Sequence, residues 1–305
     1  MNLRFRQFSL SLYRMFPALA VLFVLLVTQG CPVASAQDRH VTLNSTQIIP
    51  LTNDLTGRDH ELIVFLPNSY NDSTDKVYPV LYYMDGYWDT PLLNSIHGQL
   101  VYDNVIPELI MVGFSYPGKD ANYGALRGGD LAPSSKNDDK KGAAAFLQFI
   151  EKSVIPFIES RYRADPAHRA ISGNSLGGLF TVYAMYEKPG LFQRFIAISP
   201  AVGWGPQSLP ARDEAYAAEN SSMPARLFLS YGSDEYPPFR DPIIAFQDQL
   251  ANRHYEGFAL LNYKIDGERH SGVKSEGYSR GLRWVFKDIA PKGPSGLERE
   301  ISGRH

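Results

Sequence analysis

Residues Ile171–Phe180 read ISGNSLGGLF, a serine set between glycines with a second glycine behind it. A short apolar strand pattern, Ala170–Ser172, precedes the serine, and a helix-forming run, Leu176–Glu187, follows it. A strand, a sharp turn and a helix are the setting in which Ser175 is presented as a nucleophile. The turn strains the serine backbone, so residues around it must be small enough for strand and helix to approach closely. Gly177 and Gly178 meet that need. The Leu176 N–H then lies at a helix N-terminus, where developing negative charge is favoured.

The strand–helix alternation extends through the chain. Strand-like stretches recur at Glu61–Leu66, Pro79–Met84, Leu109–Phe114, Phe195–Ser199, Ala225–Tyr231 and Phe258–Tyr263. Several are apolar throughout, as suits strands covered on both faces. Helical spacing appears over Ala143–Ser160, with a kink expected at Pro156, and over Ile243–Arg253 and Glu276–Phe286. This pattern predicts an α/β fold with a mainly parallel sheet and helices on both faces. His40–Ile49 and His60–Leu66 have no helix between them and are expected to pair antiparallel at one edge.

A serine hydroxyl needs a base. Of the seven histidines, His270 in DGERHSGV alone follows a late strand at the end where α/β sheets gather their sites. His168 lies at the wrong end of the serine strand, and His97 falls in a segment read as lid or loop. The orienting acid should lie between serine and histidine in the chain. Asp234 and Glu235, in YGSDEYPP after the strand Ala225–Tyr231, are both available. The second oxyanion donor should come from the loop after an earlier strand, and Gly86 in YYMDGYW would let the backbone present the Tyr87 N–H.

Composition narrows the alternatives. The chain has 305 residues, 44% hydrophobic and 20% charged, enough to bury a core that holds a rigid site. A net charge of −2 without a basic stripe argues against nucleic acid. His-Glu-x-x-His and the phosphate-cradling glycine-lysine loop are both lacking, so neither a metal nor another cofactor is expected. Arg4, Arg6 and Arg14 precede the apolar run Phe16–Val27, and Ala34-Ser35-Ala36 offers a cleavage site. Residues 1–36 therefore read as a secretory signal, too short for a span, giving a secreted or periplasmic protein with no stable membrane span after cleavage. Lipidation of Cys31, the single cysteine, is the weaker alternative. The domain is expected over 37–290, with 291–305 a loosely ordered tail.

Taken in order, Pro79–Gly86, Arg127–Pro133 (RGGDLAP), Gly173–Gly178, Ser199-Pro200 and His270 resemble the putative esterase family of the α/β-hydrolases. That family includes esterase D, feruloyl esterases, enterobactin-type siderophore esterases and the antigen 85 mycolyltransferases. The resemblance covers roughly Val41 to Ile289 and implies an α/β-hydrolase fold. It implies Ser175 as nucleophile, His270 as base, Glu235 ahead of Asp234 as acid, and Tyr87 beside Leu176 as oxyanion donors. It also implies that Arg127 and Asp130 form a loop-ordering ion pair, and that SPAVGWG (Ser199–Gly205) lines the pocket. Trp204 and Trp88 are then candidates for substrate contact. The implied activity is hydrolysis of a small-molecule, sugar or siderophore ester. The alternatives are acyl transfer by the same groups and an inactive binding protein that kept the fold.

Overall fold

The computed structural model describes residues 42–43, 45–118, 120–133, 141–203 and 208–303. The expected signal segment, Cys31 and Trp204 lie outside them. The described residues from Ser45 onward form one compact unit.

Strands β3 (Tyr78–Tyr83) and β4 (Ile110–Ser115) are buried at every position. A strand of that kind must be covered on both faces, because its side chains alternate between them. Val80, Tyr82, Ile110 and Val112 enter one apolar core, and Leu81, Tyr83 and Met111 enter a second. The remaining strands are β1 (Thr46–Asn53), β2 (Arg58–Phe65), β5 (Ala164–Asn174), β6 (Arg194–Ile198), β7 (Arg226–Gly232) and β8 (Ala259–Ile265). They form one sheet in the order β1-β2-β4-β3-β5-β6-β7-β8. β1 pairs antiparallel with β2, and β2 with β4; every other pairing is parallel. The expected antiparallel edge is present, set by the short turn Asp54–Gly57 between β1 and β2.

Helices α1 (Gly86–Tyr102) and α8 (Val273–Val285) cover one face. The other is covered by α3 (Gly142–Phe149), α4 (Ile155–Arg161), α5 (Leu176–Glu187), α6 (Leu209–Glu219) and α7 (Pro237–Ala251). The short helix α2 (Tyr123–Leu131) lies ahead of them in the chain. The run expected to be a single helix over Ala143–Ser160 is interrupted by a wider turn, Ile150–Val154, where the Ile155 N–H donates to the Ile150 carbonyl. Pro156 explains it, since proline has no N–H to continue the regular ladder and is tolerated instead as the second residue of α4.

Two other expectations change. His97 is not in a loop; it is buried in α1 and accepts the Leu109 N–H at 3.0 Å. Part of the tail is ordered as α9 (Gly296–Ser302), opened by a capping box between Ser295 and Glu298. The Asn104 side chain donates to the Pro294 carbonyl, tying this helix to the end of α1.

Candidate active site

Strand β5 ends at Asn174 and α5 starts at Leu176, leaving Ser175 alone in the turn at φ 59°, ψ −116°. A non-glycine residue holds such a conformation only where its surroundings over-determine it. Those surroundings are explicit. The Ser175 N–H donates to the Ile198 carbonyl at 3.0 Å, and the Ser175 carbonyl accepts from the N–H groups of Leu179 and Ala201. A side chain on Gly173 would place its first carbon 2.5 Å from the Gly177 carbonyl carbon, so the tight turn demands glycine there. The elbow is thus pinned to the carboxyl end of β6.

That same end of β6 leads to the acid. Ser199, in positive φ and fully buried, donates its hydroxyl to the Glu235 carboxylate at 2.5 Å. Glu235 also accepts the Gly232 N–H at 3.1 Å, and His270 Nδ1 lies 2.6 Å from its Oε1. A carboxylate only accepts, so Nδ1 carries the proton and Nε2 is left as an acceptor. Burial pushes the Glu235 carboxyl up, but the hydrogen bonds from His270, Ser199 and Gly232 outweigh it and hold the group below its ordinary range. The Phe239 ring stands edge-on to the imidazole, with centroids 4.6 Å apart. Asp234 is exposed and faces away, its carboxylate accepting from Ser233. Chain order left the two acids equivalent; in the structure it is Glu235 that lies within hydrogen-bond distance of His270, while Asp234 accepts from Ser233.

The two expected oxyanion donors both lie in the first turn of a helix, where N–H groups have no partner within the helix. Leu176 opens α5, and Tyr87 is the second residue of α1. Asp85, at φ 60°, caps α1, and a side chain on Gly86 would meet the Gly113 backbone at 2.8 Å, so α1 starts hard against β4. Arg127 is the clamp between the two turns. It donates through Nε and a terminal nitrogen to both oxygens of Asp85, at 2.5 and 2.9 Å, and that same terminal nitrogen donates to the Asn174 carbonyl at 2.9 Å.

This corrects the expected Arg127–Asp130 pair. The two side chains leave α2 in different directions. Asp130 is buried among Arg58, His60 and the Tyr116 hydroxyl, and Arg127 turns to the elbow. Trp88 and Tyr87 are half or more exposed and lean on the Tyr123 ring, with centroids 5.6 and 5.4 Å away. No hydrogen bond of the Ser175 hydroxyl occurs among the described residues; Ser175 and His270 follow the carboxyl ends of β5 and β8, two strands of the same parallel run. No cluster of metal-ligating side chains occurs among the described residues, and no described helix is long and apolar enough to cross a membrane. Sequence reasoning missed the roles of Ser199 and Asp85, although the Ser-Pro and Asp-Gly pairs that contain them were visible.

The family model described as putative esterase matches residues 53–279, which include every residue of this site. The chain belongs to the putative esterase family. It is a carboxylic ester hydrolase built on the α/β-hydrolase fold. Similar proteins include the ferri-bacillibactin esterase BesA of Bacillus subtilis, 24% identical over 83% of this chain and 92% of that one. The siderophore triacetylfusarinine C esterase of Aspergillus fumigatus is 30% identical over 59% of this chain and 71% of its own length. Among solved structures, an IroE-like serine hydrolase from Shewanella oneidensis superposes with a TM-score of 0.71 at 25% identity, covering 81% of this chain and 82% of that one.

Proposed function

We propose that this esterase cleaves a siderophore-type ester through an acyl-enzyme on Ser175. The hydrogen bond from His270 to buried Glu235, on the sheet edge that carries the Ser175 elbow, is the observation that supports it most directly. In this mechanism the Ser175 oxygen attacks the ester carbonyl and its proton passes to His270 Nε2. The carbonyl oxygen becomes an oxyanion that accepts from the Tyr87 and Leu176 N–H groups. The C–O bond to the alcohol breaks, and His270 returns the proton to the departing oxygen. Water then attacks the acyl carbon by the same route and frees Ser175. Glu235 stays ionised, holding the imidazole in its reactive tautomer.

The substrate class is inferred from two sources. Of the similar proteins, one is a ferri-bacillibactin esterase and another a siderophore triacetylfusarinine C esterase. The exposed rings of Tyr87 and Trp88, braced by Tyr123, flank the Tyr87 N–H and offer flat surface to an aromatic part of the substrate. We infer export directed by residues 1–36 on the sequence pattern alone; N-terminal sequencing of the secreted chain tests it.

The deciding experiment is hydrolysis of a panel by the chain from Gln37, beside Ser175→Ala. The panel holds nitrophenyl esters, a feruloyl ester, an acetylated sugar and a catecholate trilactone. The trilactone should be cleaved best, and Ser175→Ala should lose about 10⁴-fold or more in kcat. Unimpaired Ser175→Ala sinks the mechanism; preference for the acetylated sugar sinks the substrate class.

A further inference from the structure

The N-terminal end of α1 carries two carboxylates four residues apart, Asp85 at the cap and Asp89 in the first turn. Asp85 is held by Arg127 against the elbow. Asp89 is held by α8. Lys274 donates to its Oδ1 at 2.7 Å, and the Tyr278 hydroxyl donates to its Oδ2 at 2.6 Å. Asp89 is 2% exposed and Tyr278 is fully buried. The Lys274 side chain is largely covered too. An ion pair this far from water gains little net stability, but its geometry is fixed, because either charge alone would be costly there.

The position of these groups matters more than their strength. Tyr87 lies between the two anchors, two residues from each. Lys274 sits four residues after His270, in the first turn of the helix that ends the histidine loop. The Asp89 bonds therefore join the turn that offers an oxyanion donor to the loop that carries the base.

We propose that Asp89, Lys274 and Tyr278 are positioning residues that fix the distance between the Tyr87 N–H and His270. The inference rests on the acyl-enzyme reading above. None of the three touches the reacting atoms; they act through the backbone of α1 and α8. Oxyanion stabilisation depends on donors placed to fractions of an ångström, so loosening this link lowers the rate of the chemical step more than it weakens substrate binding.

The test uses the full-length chain on its best ester, with kcat and KM measured separately. Urea unfolding run alongside confirms that each variant is folded under assay conditions. Lys274→Met should lower kcat by about 10- to 100-fold with KM within about threefold. Lys274→Arg, which restores the charge, should recover kcat to within about threefold of the parent. Asp89→Asn combined with Lys274→Met should lose no more than the worse single variant, since both break one link. Tyr278→Phe, a milder change, should cost about three- to tenfold in kcat and covers the case in which Lys274→Met does not fold. A folded Lys274→Met, or failing that Tyr278→Phe, with unchanged kcat overturns the proposal; so does a loss confined to KM or losses that multiply. Ser175→Ala in the same assay separates the two readings. If it is inert while Lys274→Met is fully active, only the positioning role falls; if it stays active, both fall.

Discussion

Glu235 receives three donors from three elements: Gly232 at the end of β7, Ser199 at the end of β6, and His270 after β8. Among the described residues the Asp234 carboxylate, one residue earlier, receives only its neighbour Ser233. The two acids should therefore respond very differently to loss of charge. Glu235→Gln should lower kcat by about 10³- to 10⁴-fold, because an amide no longer enforces the Nδ1–H tautomer. Asp234→Asn should leave kcat within about twofold, as exposed substitutions usually do. The sign of the pH effect follows from the depressed carboxyl. Its stabilisation is present above the ordinary carboxylate range and is lost as pH falls through the folded value. Urea midpoints between pH 5 and pH 3 should thus fall less steeply in Glu235→Gln than in the parent; equal slopes would contradict the assignment. At this scale the serine, the histidine and the candidate donors were legible, because a nucleophile elbow and a late-strand loop leave marks in chain order. Ser199 was not, because its partner lies 36 residues away and only the alignment of β6 with β7 brings the two together.

At the scale of elements, α1 shows why some helices hide. Its segment, GYWDTPLLNSIHGQLVY, buries Asp89, Thr90 and His97 beside Leu93, Ile96 and Leu100. Polar residues on the inward face dilute the apolar period that marks a helix, so reading by period passes it over. Each has a buried partner instead: Tyr278 and Lys274 for Asp89, the Tyr83 hydroxyl for Thr90, and the Leu109 N–H for His97. By contrast α5 is apolar nearly throughout and was plain from the sequence. The buried histidine makes a measurable claim. Burial lowers its pKa to about 4, so the folded protein keeps it neutral while the unfolded chain protonates near 6.5. Stability from this site is complete above about 6.5 and is lost as pH falls toward 4. From pH 7 to pH 5 the site should remove about 2 kcal/mol of folding free energy. His97→Gln, which can still accept the Leu109 N–H but does not titrate, should show a loss smaller by that amount in urea titrations. An identical loss in both proteins would show that His97 titrates alike folded and unfolded.

For the molecule as a whole, the parallel arrangement from β4 to β8 sends every site-bearing loop to one edge of the sheet. The α/β alternation made that legible, since parallel strands joined by helices must end alike. The sequence did not show that Gly296–Ser302 dock as a helix at the far end of α1. Helix α1 spans 17 residues, so its carboxyl end lies about 25 Å from its active-site turn. At that end Gly296 packs so close to Tyr102 that a side chain would reach within 2.3 Å of the ring, and Asn104 holds the Pro294 carbonyl. The tail therefore stabilises the opposite pole from the one that binds substrate. Deleting residues 291–305 should remove the contact on the Tyr102 ring and free the end of α1, lowering the melting temperature by about 2–4 °C, as a loss near 1 kcal/mol does in a domain of this size. It should leave kcat/KM within about twofold, because the anchors of the Tyr87 turn, Arg127 and Lys274, sit at the other end of the helix. Differential scanning calorimetry and initial rates on one preparation decide it. A truncated enzyme that melts like the parent denies that the tail is docked; one that loses activity more than about fivefold at a temperature where it is fully folded denies that α1 is anchored independently at its two ends.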